Sequence, residues 1–162
     1  MKKSILLLLL AVVSMGSYAQ FEKGTKYVGA SLTGLNMSYS SGEKFGLGLE
    51  ANGGYFFADS WMVTGRFGYT HQWMPVTDIN AVTLGAGARY YFHQNGIYLG
   101  AGLQYQHVAT DVDYLQIPFE VGYCFYLNQH VSIEPAVYYN LCLNKFSDGS
   151  KVGFKVGLGF YF

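Results

Sequence analysis

The sequence contains few charged residues, few cysteines and, beyond its first twenty residues, no long apolar run. Asp, Glu, Lys and Arg make up only 12% of the 162 residues, and the basic residues form no stripe, which argues against a nucleic-acid-binding surface. The two cysteines do not form a Cys-x-x-Cys motif, and there is no phosphate-binding loop. The lack of a long apolar run excludes a transmembrane helix from this part of the chain.

The N-terminal residues have the features of a cleavable export leader. Two lysines precede an apolar run over residues 5–13, which is too short to cross a hydrocarbon core of ~30 Å as a helix. Ser17 and Ala19 place small residues at the two positions that a signal peptidase reads. We therefore expect residues 1–19 to be removed and residues 20–162 to form one domain. Without the two lysines, eight basic residues (10 − 2) face ten acidic ones, so the net charge is −2.

Glycine and aromatic residues are abundant, and apolar residues alternate with small or polar ones. There are 21 Gly, and Phe, Trp and Tyr make up 18% of the chain. In the stretch FGLGLEANGGY, Leu47, Leu49 and Ala51 share one parity, while Gly48 and Glu50 have the other. Because side chains alternate across a strand, this pattern indicates a two-faced β-strand. Similar alternation along the chain predicts eight strands of about ten to thirteen residues.

The first of these segments contains a change of parity. The parity shared by Val28 and Leu32 is lost at Leu35. One extra residue in a strand reverses the parity beyond it, so we expect a β-bulge near Gly34 or Asn36.

The connections between the segments alternate between tight and longer ones. The tight connections cover residues 57–60, 93–96 and 127–130. The longer ones cover residues 74–80, 108–113 and 142–150, and an intermediate one covers residues 40–44. Membrane barrels with an even number of strands have short periplasmic turns and longer external loops. The sequence therefore predicts an all-β fold, an eight-stranded antiparallel up-and-down transmembrane β-barrel with a periplasmic N-terminus.

Two properties of the pattern indicate which face of the barrel meets lipid. An exported barrel of lipocalin type would bury the apolar parity, but an eight-stranded lumen cannot hold about forty mostly large residues. A soluble outer face should be rich in Lys and Glu, whereas the polar parity here consists largely of glycine, serine and threonine. We therefore expect the apolar parity to face lipid, with aromatic residues gathered near both membrane interfaces.

Six charged residues lie inside the predicted strands, and all of them fall on the inward parity. They are Glu50, Arg66, Arg89, Glu120, Glu134 and Lys155. A charge on the lipid face near the midplane costs about 2–4 kcal/mol, which accounts for the bias. Three acidic and three basic groups can neutralise one another, so we expect a luminal salt-bridge network in which Glu50 and Arg66 form a direct pair. Lys155 then needs Glu50, Glu120 or Glu134 within reach.

The lumen can be a side-chain plug or a narrow polar path for ions, and both interpretations stay open at this point. Inward tyrosines and glutamines favour the plug, since eight strands leave an interior that side chains fill. These inward residues are Tyr91, Tyr98, Gln104, Gln106, Tyr114, Gln116, Tyr126 and Tyr138.

The last eight residues, KVGLGFYF, follow a known pattern. Lys155, Gly157, Phe160 and Phe162 occupy the polar, glycine, hydrophobic and terminal aromatic positions of the C-terminal β-signal of outer-membrane barrels. The chain resembles the small Gram-negative outer-membrane β-barrel domain family, a porin-like group. It is also similar in layout to the transmembrane domain of outer membrane protein A and to outer membrane protein X. The resemblance implies insertion by the β-barrel assembly machinery, contact with outer-membrane lipid and lipopolysaccharide, and no particular activity or cofactor.

The two cysteines fall near opposite ends of the predicted barrel. Cys124 lies toward the periplasmic end of its strand, and Cys142 toward the outer end of the next. At ~3.3 Å per residue they are roughly 25–30 Å apart, beyond the reach of a disulfide. We expect two free thiols, with Cys124 packed in the lumen.

Two histidine arrangements contain the residue types of catalytic sites. His130 and Ser132, with Glu134 nearby, resemble the His-x-Ser pair of outer-membrane lipid A deacylases, but the turn places them at the periplasmic end, far from lipid A. His71 and His107 are expected near the outer rim on the lipid-facing parity, roughly 10 Å apart. No serine shares their patch, and no third ligand is spaced to complete a metal site.

The sequence favours an integral outer-membrane protein of structural or interaction type, without catalysis, metal or cofactor. A lipid A-modifying enzyme that uses His71 or His107 for acyl transfer or deacylation is one alternative, and a narrow passive channel is another. The fold indicates no external partner, because a fold alone does not specify function.

Overall fold

The computed structural model describes residues 21–35, 46–72, 79–92, 96–108, 112–144 and 150–162. These residues form nine antiparallel strand segments, β1 (Lys26–Leu35), β2 (Gly46–Ala58), β3 (Trp61–Gln72), β4 (Ile79–Tyr91), β5 (Ile97–Val108), β6 (Val112–Tyr123), β7 (Phe125–Tyr126), β8 (Val131–Cys142) and β9 (Lys151–Tyr161). The predicted leader, and most of the residues of the intermediate and longer connections, lie outside the described residues.

Each segment pairs with its neighbours, and the first and last strands close the sheet into a barrel. β1 pairs with both β2 and β9, and β6 and β7 both pair with β8. Gly122 lies opposite Ala136, and Phe125 lies opposite Ile133, so the register continues unchanged past Cys124. β6 and β7 are therefore one barrel strand, and the predicted closed eight-stranded antiparallel barrel is confirmed.

The strand β1 contains the predicted bulge. Thr33 pairs with Lys155 of β9, but Leu35 pairs with the adjacent Phe154, so Gly34 is the extra residue. An unpaired residue of this kind increases the local bend and twist of a strand. It also resets the register of β1 at its far end, as the change of parity in the sequence indicated.

The strands direct their polar parity into the lumen and their apolar parity outward. Leu84 is 63% exposed, Leu49 60% and Phe67 53%, whereas Arg89 and Glu120 are each 2% exposed. Large apolar side chains with this exposure on every strand are suited to lipid rather than to water. This arrangement confirms the outward assignment of the apolar parity.

The two ends of the barrel differ, and we call them the terminal end and the loop end. The terminal end contains the short turns and the meeting of the first and last strands, where the Lys26 N–H donates to the Phe162 carbonyl (2.7 Å). Ser60, in the turn between β2 and β3, has a φ of 66°, and the register of the two strands shifts beside it, as in hairpin loops that end on a left-handed residue with a bulge. The loop end is the opposite one. No described residue belongs to a helix that is long and apolar enough to cross a membrane.

An aromatic cluster fills the lumen near the terminal end. Its buried members are Phe21, Tyr27, Phe56, Met62, Tyr91, Tyr98, Cys124, Ala136 and Tyr161. Phe21 precedes the first strand, yet it is only 4% exposed, and its ring stacks on Tyr91 with centroids 4.4 Å apart. The barrel interior at this end is therefore packed in the manner of a small protein core.

Candidate functional site

Five of the six luminal charges form a continuous chain of ion pairs across the lumen. Arg89 Nε contacts Glu120 Oε1 at 2.5 Å, and Arg89 Nη1 lies 3.3 Å from Glu134 Oε2. Lys155 Nζ lies 2.7 Å from Glu120 Oε2 and 3.0 Å from Glu50 Oε1. We call Glu134, Arg89, Glu120, Lys155 and Glu50, in that order, the ion-pair chain. Its charges alternate in sign, so each buried group has an opposite charge beside it.

The sixth charge, Arg66, does not have the predicted partner. In the register of β2 and β3, Arg66 lies opposite Asn52, while Glu50 lies opposite Gly68, two residues closer to the loop end. Arg66 Nη2 instead lies 3.7 Å from Glu120 Oε1, and Glu50 pairs with Lys155 across the barrel seam. This corrects the expected Glu50–Arg66 pair, because the nearest opposite charges come from strands that are not neighbours.

Glu134 is held by hydroxyl groups as well as by Arg89. The hydroxyls of Ser132 and Tyr161 donate to Oε1 at 2.8 Å, and the hydroxyl of Tyr27 donates to Oε2 at 2.9 Å. A buried carboxylate is expensive unless such donors replace water. Tyr27 was missed in the sequence analysis, although its inward parity beside lipid-facing Val28 could have indicated a luminal role.

Arg89 also lies among aromatic rings. Its guanidinium carbon is 4.7 Å from the ring centroid of Tyr98 and 5.5 Å from that of Tyr27. A cation over an aromatic face at this distance is stabilised electrostatically, most strongly where water is excluded. Arg89 therefore links the ion-pair chain to the aromatic cluster below it.

The short segment before β1 closes the terminal end. The carbonyl of Phe21 accepts a hydrogen bond from the Ser60 N–H, and the Gly24 N–H donates to the Phe56 carbonyl, both at 2.8 Å. The Lys23 N–H donates to Asp59 Oδ1 at 2.9 Å. These bonds fix the segment to the turn between β2 and β3 and hold the Phe21 ring in the lumen. No periodic pattern surrounds Phe21, so its position in the lumen could not be predicted from the sequence.

The loop-end half of the lumen contains a polar cavity of about 70 Å³. Threonine, glutamine and asparagine side chains form much of its wall, and Glu50, Arg66 and Lys155 line it as well. Gln104 and Gln116, also in the wall, are joined by a hydrogen bond of 2.7 Å from Nε2 to Oε1. The two halves of the lumen are therefore packed differently.

The candidate serine of the His-x-Ser pair has another partner. Ser132 is fully buried, and its hydroxyl donates to Glu134. His130 lies exposed in the turn before β8, where its backbone N–H donates to Asn128 Oδ1 at 2.8 Å. Ser132 therefore contributes to the binding of a buried carboxylate at the terminal end of the lumen.

The rim histidines lie beside neighbouring positions of β4 and contact polar side chains. His71 Nδ1 lies 2.6 Å from Asn80 Oδ1, and His107 Nδ1 lies 2.7 Å from Asp113 Oδ1. In register, His71 is opposite Asn80 and His107 is opposite Val82. Among the residues that the structure describes, no group of three or more His, Cys, Asp or Glu side chains is arranged to bind a metal ion.

Both cysteines are free and buried, which confirms the expectation of two unpaired thiols. Cys124 packs in the aromatic cluster, and its Sγ lies 3.4 Å from the Tyr161 hydroxyl. Cys142 lies opposite Gln116, far along the barrel from Cys124.

The four residues of the C-terminal pattern divide between the two faces of β9. Lys155 and Gly157 face the lumen, whereas Phe160 and Phe162 are 45% and 64% exposed on the outer face. Lys155 thus belongs both to this pattern and to the ion-pair chain.

Comparison with known proteins gives matches to outer-membrane barrels. The chain matches the family described as outer membrane protein beta-barrel domain over residues 5–162. Neisserial surface protein A is 21% identical, with a TM-score of 0.67 over 86% of this chain and 100% of that one. The N-terminal β-barrel domain of Pseudomonas aeruginosa OprF is 18% identical, with a TM-score of 0.61 over 86% of this chain and 98% of that one.

The Yersinia pestis outer membrane protein Ail, in a phospholipid bilayer nanodisc, is 16% identical, with a TM-score of 0.60 over 86% of this chain and 100% of that one. At these identities the structural similarities show the fold alone, and no curated protein matches the chain. The apolar outer face, the closed eight-stranded barrel and the family match nevertheless agree with one another. The chain belongs to the outer membrane protein β-barrel domain family and is a protein of the bacterial outer membrane, in contact with its lipids.

Proposed function

We propose that this protein is a non-catalytic barrel of structural or interaction type, whose lumen is closed by its own side chains. The observation that carries this proposal is the double closure formed by the aromatic cluster and the ion-pair chain. The interior of an eight-stranded barrel is narrow enough for side chains to close it. Here the ring of Phe21 adds to that filling at the terminal end, and buried charges cross the lumen next to it.

Luminal glycines support the closure, because large side chains occupy the space that a Cβ would need. A Cβ at Gly122 would lie less than 3.0 Å from the ring of Tyr98, and one at Gly100 would lie equally close to the carboxyl group of Glu120. On the lipid face, by contrast, a Cβ at Gly53 would have no described atom within 4 Å. Glycine in the lumen thus makes room for tyrosine and charged side chains.

Single-channel recording in planar lipid bilayers tests the closed lumen. Folded protein is expected to give no conductance steps at high salt, because the aromatic cluster and the ion pairs leave no continuous aqueous path. Stepwise conductance from the wild-type barrel, absent from mock preparations, would instead support the narrow passive channel.

The proposal of a non-catalytic protein rests on the partners of the candidate residues. The hydroxyl of Ser132 donates to Glu134, and the rim residues His71 and His107 contact an amide oxygen and a carboxylate. In these contacts the candidate serine is engaged by a buried carboxylate, and each rim histidine faces an amide oxygen or a carboxylate rather than a nucleophile.

Mass spectrometry of lipid A from cells with and without the protein tests this point. The two spectra are expected to be identical. An acyl chain gained or lost in the presence of the wild type, but not of a His71→Ala/His107→Ala double variant, would establish the lipid A-modifying alternative.

We also propose that residues 1–19 are removed as a leader and that the C-terminal pattern directs insertion by the β-barrel assembly machinery. Intact mass of the purified protein is expected to correspond to a chain that begins at Gln20. Phe162→Ala keeps the backbone bond to Lys26 and removes only the aromatic ring, so it tests the pattern itself. Its level in the outer membrane should fall well below that of Phe57→Ala, a change at a similarly exposed ring; equal levels of the two variants would contradict the assignment.

If the protein binds an external partner, that partner would contact the loop end of the barrel. Short turns face the periplasm in outer-membrane barrels, so the loop end faces outward. Surface labelling of intact cells should therefore reach a cysteine introduced at Asn80 but not one introduced at Asp59, in a Cys-free background.

A further inference from the structure

The polar cavity in the loop-end half of the lumen has room for a small solute. One water molecule needs roughly 10–15 Å³ of such space, so a cavity of about 70 Å³ holds about five groups of that size. The wall offers hydroxyl and amide groups, including those of Thr70, Thr83, Gln106 and Asn140. These groups can donate or accept hydrogen bonds, so the cavity suits a polar occupant.

The charges that line the cavity favour an anion. Among the described lining residues, Arg66 and Lys155 are cations and Glu50 is a carboxylate. Lys155 lies between two carboxylates, at 3.0 Å from Glu50 and 2.7 Å from Glu120. Arg66 lies no closer than 3.7 Å to its carboxylate oxygen on Glu120, which Arg89 already contacts at 2.5 Å. Of the three cations Arg66, Arg89 and Lys155, Arg66 therefore has the weakest compensation.

The guanidinium of Arg66 also has an unused donor. Its side chain is only 5% exposed, and its Nε–H has no hydrogen-bond partner among the described residues. A buried donor without a partner is unfavourable because it has lost its hydrogen bonds to water, so an occupant that accepts from it is favoured. Arg89 differs in this respect, because its Nε–H donates to Glu120.

The position of Arg66 depends on a glycine beneath it. A Cβ at Gly85 would come within 3.0 Å of Arg66 Cγ, so glycine there allows the side chain to cross β4 toward the cavity. The Nε–H and one Nη–H of an arginine form two parallel donors that match the two oxygens of a carboxylate. In Arg66 the first is free and Nη2 has only the long contact with Glu120.

We propose that this cavity binds a small monocarboxylate, which accepts hydrogen bonds from Arg66 Nε–H and Nη2–H. Glu50 at the edge of the site disfavours a second negative charge, and the size of the cavity limits the ligand to a few non-hydrogen atoms. The ligand does not cross the barrel, because the ion-pair chain lies between the cavity and the terminal end.

Nuclear magnetic resonance of the full barrel in lipid nanodiscs, with ¹⁵N-labelled arginine, tests this site. Sodium formate is the probe, and sodium chloride keeps the ionic strength constant. The Arg66 Nε–H resonance, assigned by its loss in Arg66→Lys, is expected to shift saturably, whereas the Arg89 Nε–H resonance stays in place. No saturable shift of Arg66, or equal shifts of both resonances, would overturn the proposal.

A variant of Glu50, at the edge of the site, provides a second measurement, for which the direction of the change in Kd is predicted. Glu50→Gln removes the negative charge beside the bound anion, so the formate Kd should decrease by up to roughly a hundredfold, as expected for a charge about 6 Å away at an effective dielectric constant near 20. An unchanged Kd would place the formate elsewhere. Glycine, titrated in parallel, tests a zwitterion: saturable binding of glycine without binding of formate would also overturn the monocarboxylate assignment.

Discussion

The terminal-end half and the loop-end half of the lumen are filled by different kinds of side chain. In the terminal half, aromatic rings pack against one another, and Glu134 accepts bonds from three hydroxyls and Arg89. In the loop half, shorter polar side chains surround a cavity, and Arg66 retains a free donor. The terminal half is thus built as a seal, whereas the loop half leaves space and an unsatisfied charge.

The difference indicates that, in a membrane barrel, one half of the lumen can stabilise the fold while the other half provides a binding site. Buried polar groups stabilise a fold only when their hydrogen bonds are complete. The Glu134 site meets that condition, whereas the buried hydroxyl of Tyr91 in the same half has no hydrogen-bond partner among the described residues. The packed rings, together with the Glu134 site, should therefore carry most of the stability of the barrel. The loop half should tolerate substitution with little loss of stability, and its variants should affect binding instead.

The largest expected effect comes from Glu120, which contacts both Arg89 and Lys155. Glu120→Gln removes the carboxylate that three buried cations share, Arg66, Arg89 and Lys155, and should lower the free energy of unfolding by about 3–5 kcal/mol. Urea titration of the barrel in lipid vesicles measures the loss. Glu50→Gln is the matched control, because Glu50 is the more exposed end of the chain, with 15% of its side chain exposed, and it should lose far less. Equal losses would remove the distinction between the two halves.

Phe21→Ala should have the next largest effect. The substitution empties a site between Phe56, Tyr91 and Tyr161, and burial of this kind contributes about 3 kcal/mol. The same urea titration measures it, with the lipid-facing Phe57→Ala as a control. If both variants unfold at the same urea concentration, Phe21 does not act as a seal.

A pair of glycine variants compares packing density in the two halves directly. Gly122→Ala places a methyl group against the Tyr98 ring and should cost about 1–3 kcal/mol by overpacking. Gly68 lines the cavity, and a Cβ added there would lie 3.5 Å from Thr83, which is an ordinary contact. Gly68→Ala should therefore change the free energy of unfolding by less than about 0.5 kcal/mol. Thermal unfolding of the two variants, followed by the loss of heat-modifiable gel mobility, ranks them. The reverse ranking would contradict a dense terminal half.

The smallest expected effect is that of Tyr27→Phe. The substitution removes one of four donors to Glu134 and leaves the ring in place, so a loss of about 1 kcal/mol is expected. Tyr55→Phe, on the exposed outer face, serves as the control and should be neutral. A neutral Tyr27→Phe would show that water or another donor replaces the hydroxyl.

Much of the fold could be predicted from the sequence because its determinants are local. Alternation over ten or more residues indicates the strands, and a strand has only two faces, so the inward position of Arg89 or Glu120 follows from parity alone. The bulge at Gly34 could be predicted for the same reason, since one extra residue reverses the parity of the residues that follow it.

The partners inside the lumen could not be predicted in the same way. Lys155 reaches Glu50 over β1, and Arg89 reaches Glu120 over β5, so these contacts depend on the stagger and curvature of the closed barrel. Phe21 lies outside every periodic segment, so no pattern indicates its position. The cavity depends on the packing of many side chains from different strands, which a pattern along one strand does not describe. Parity defines the face of a residue but not its neighbour across the lumen.

The ion-pair chain also has a consequence for the order of assembly. Its members come from β8, β4, β6, β9 and β2, and Lys155 connects the last strand with β6 on one side and with β2 on the other. The contact of Lys155 with Glu50 crosses the seam between β1 and β9, so an open sheet cannot form it, whereas the contact with Glu120 needs only the strands from β6 to β9. The hydrogen bond from Tyr27 to Glu134 also exists only when the first and last strands meet. Formation of the seam therefore completes the backbone pairing and the partners of Glu50 and Glu134 together, so closure of this barrel should behave as one cooperative step.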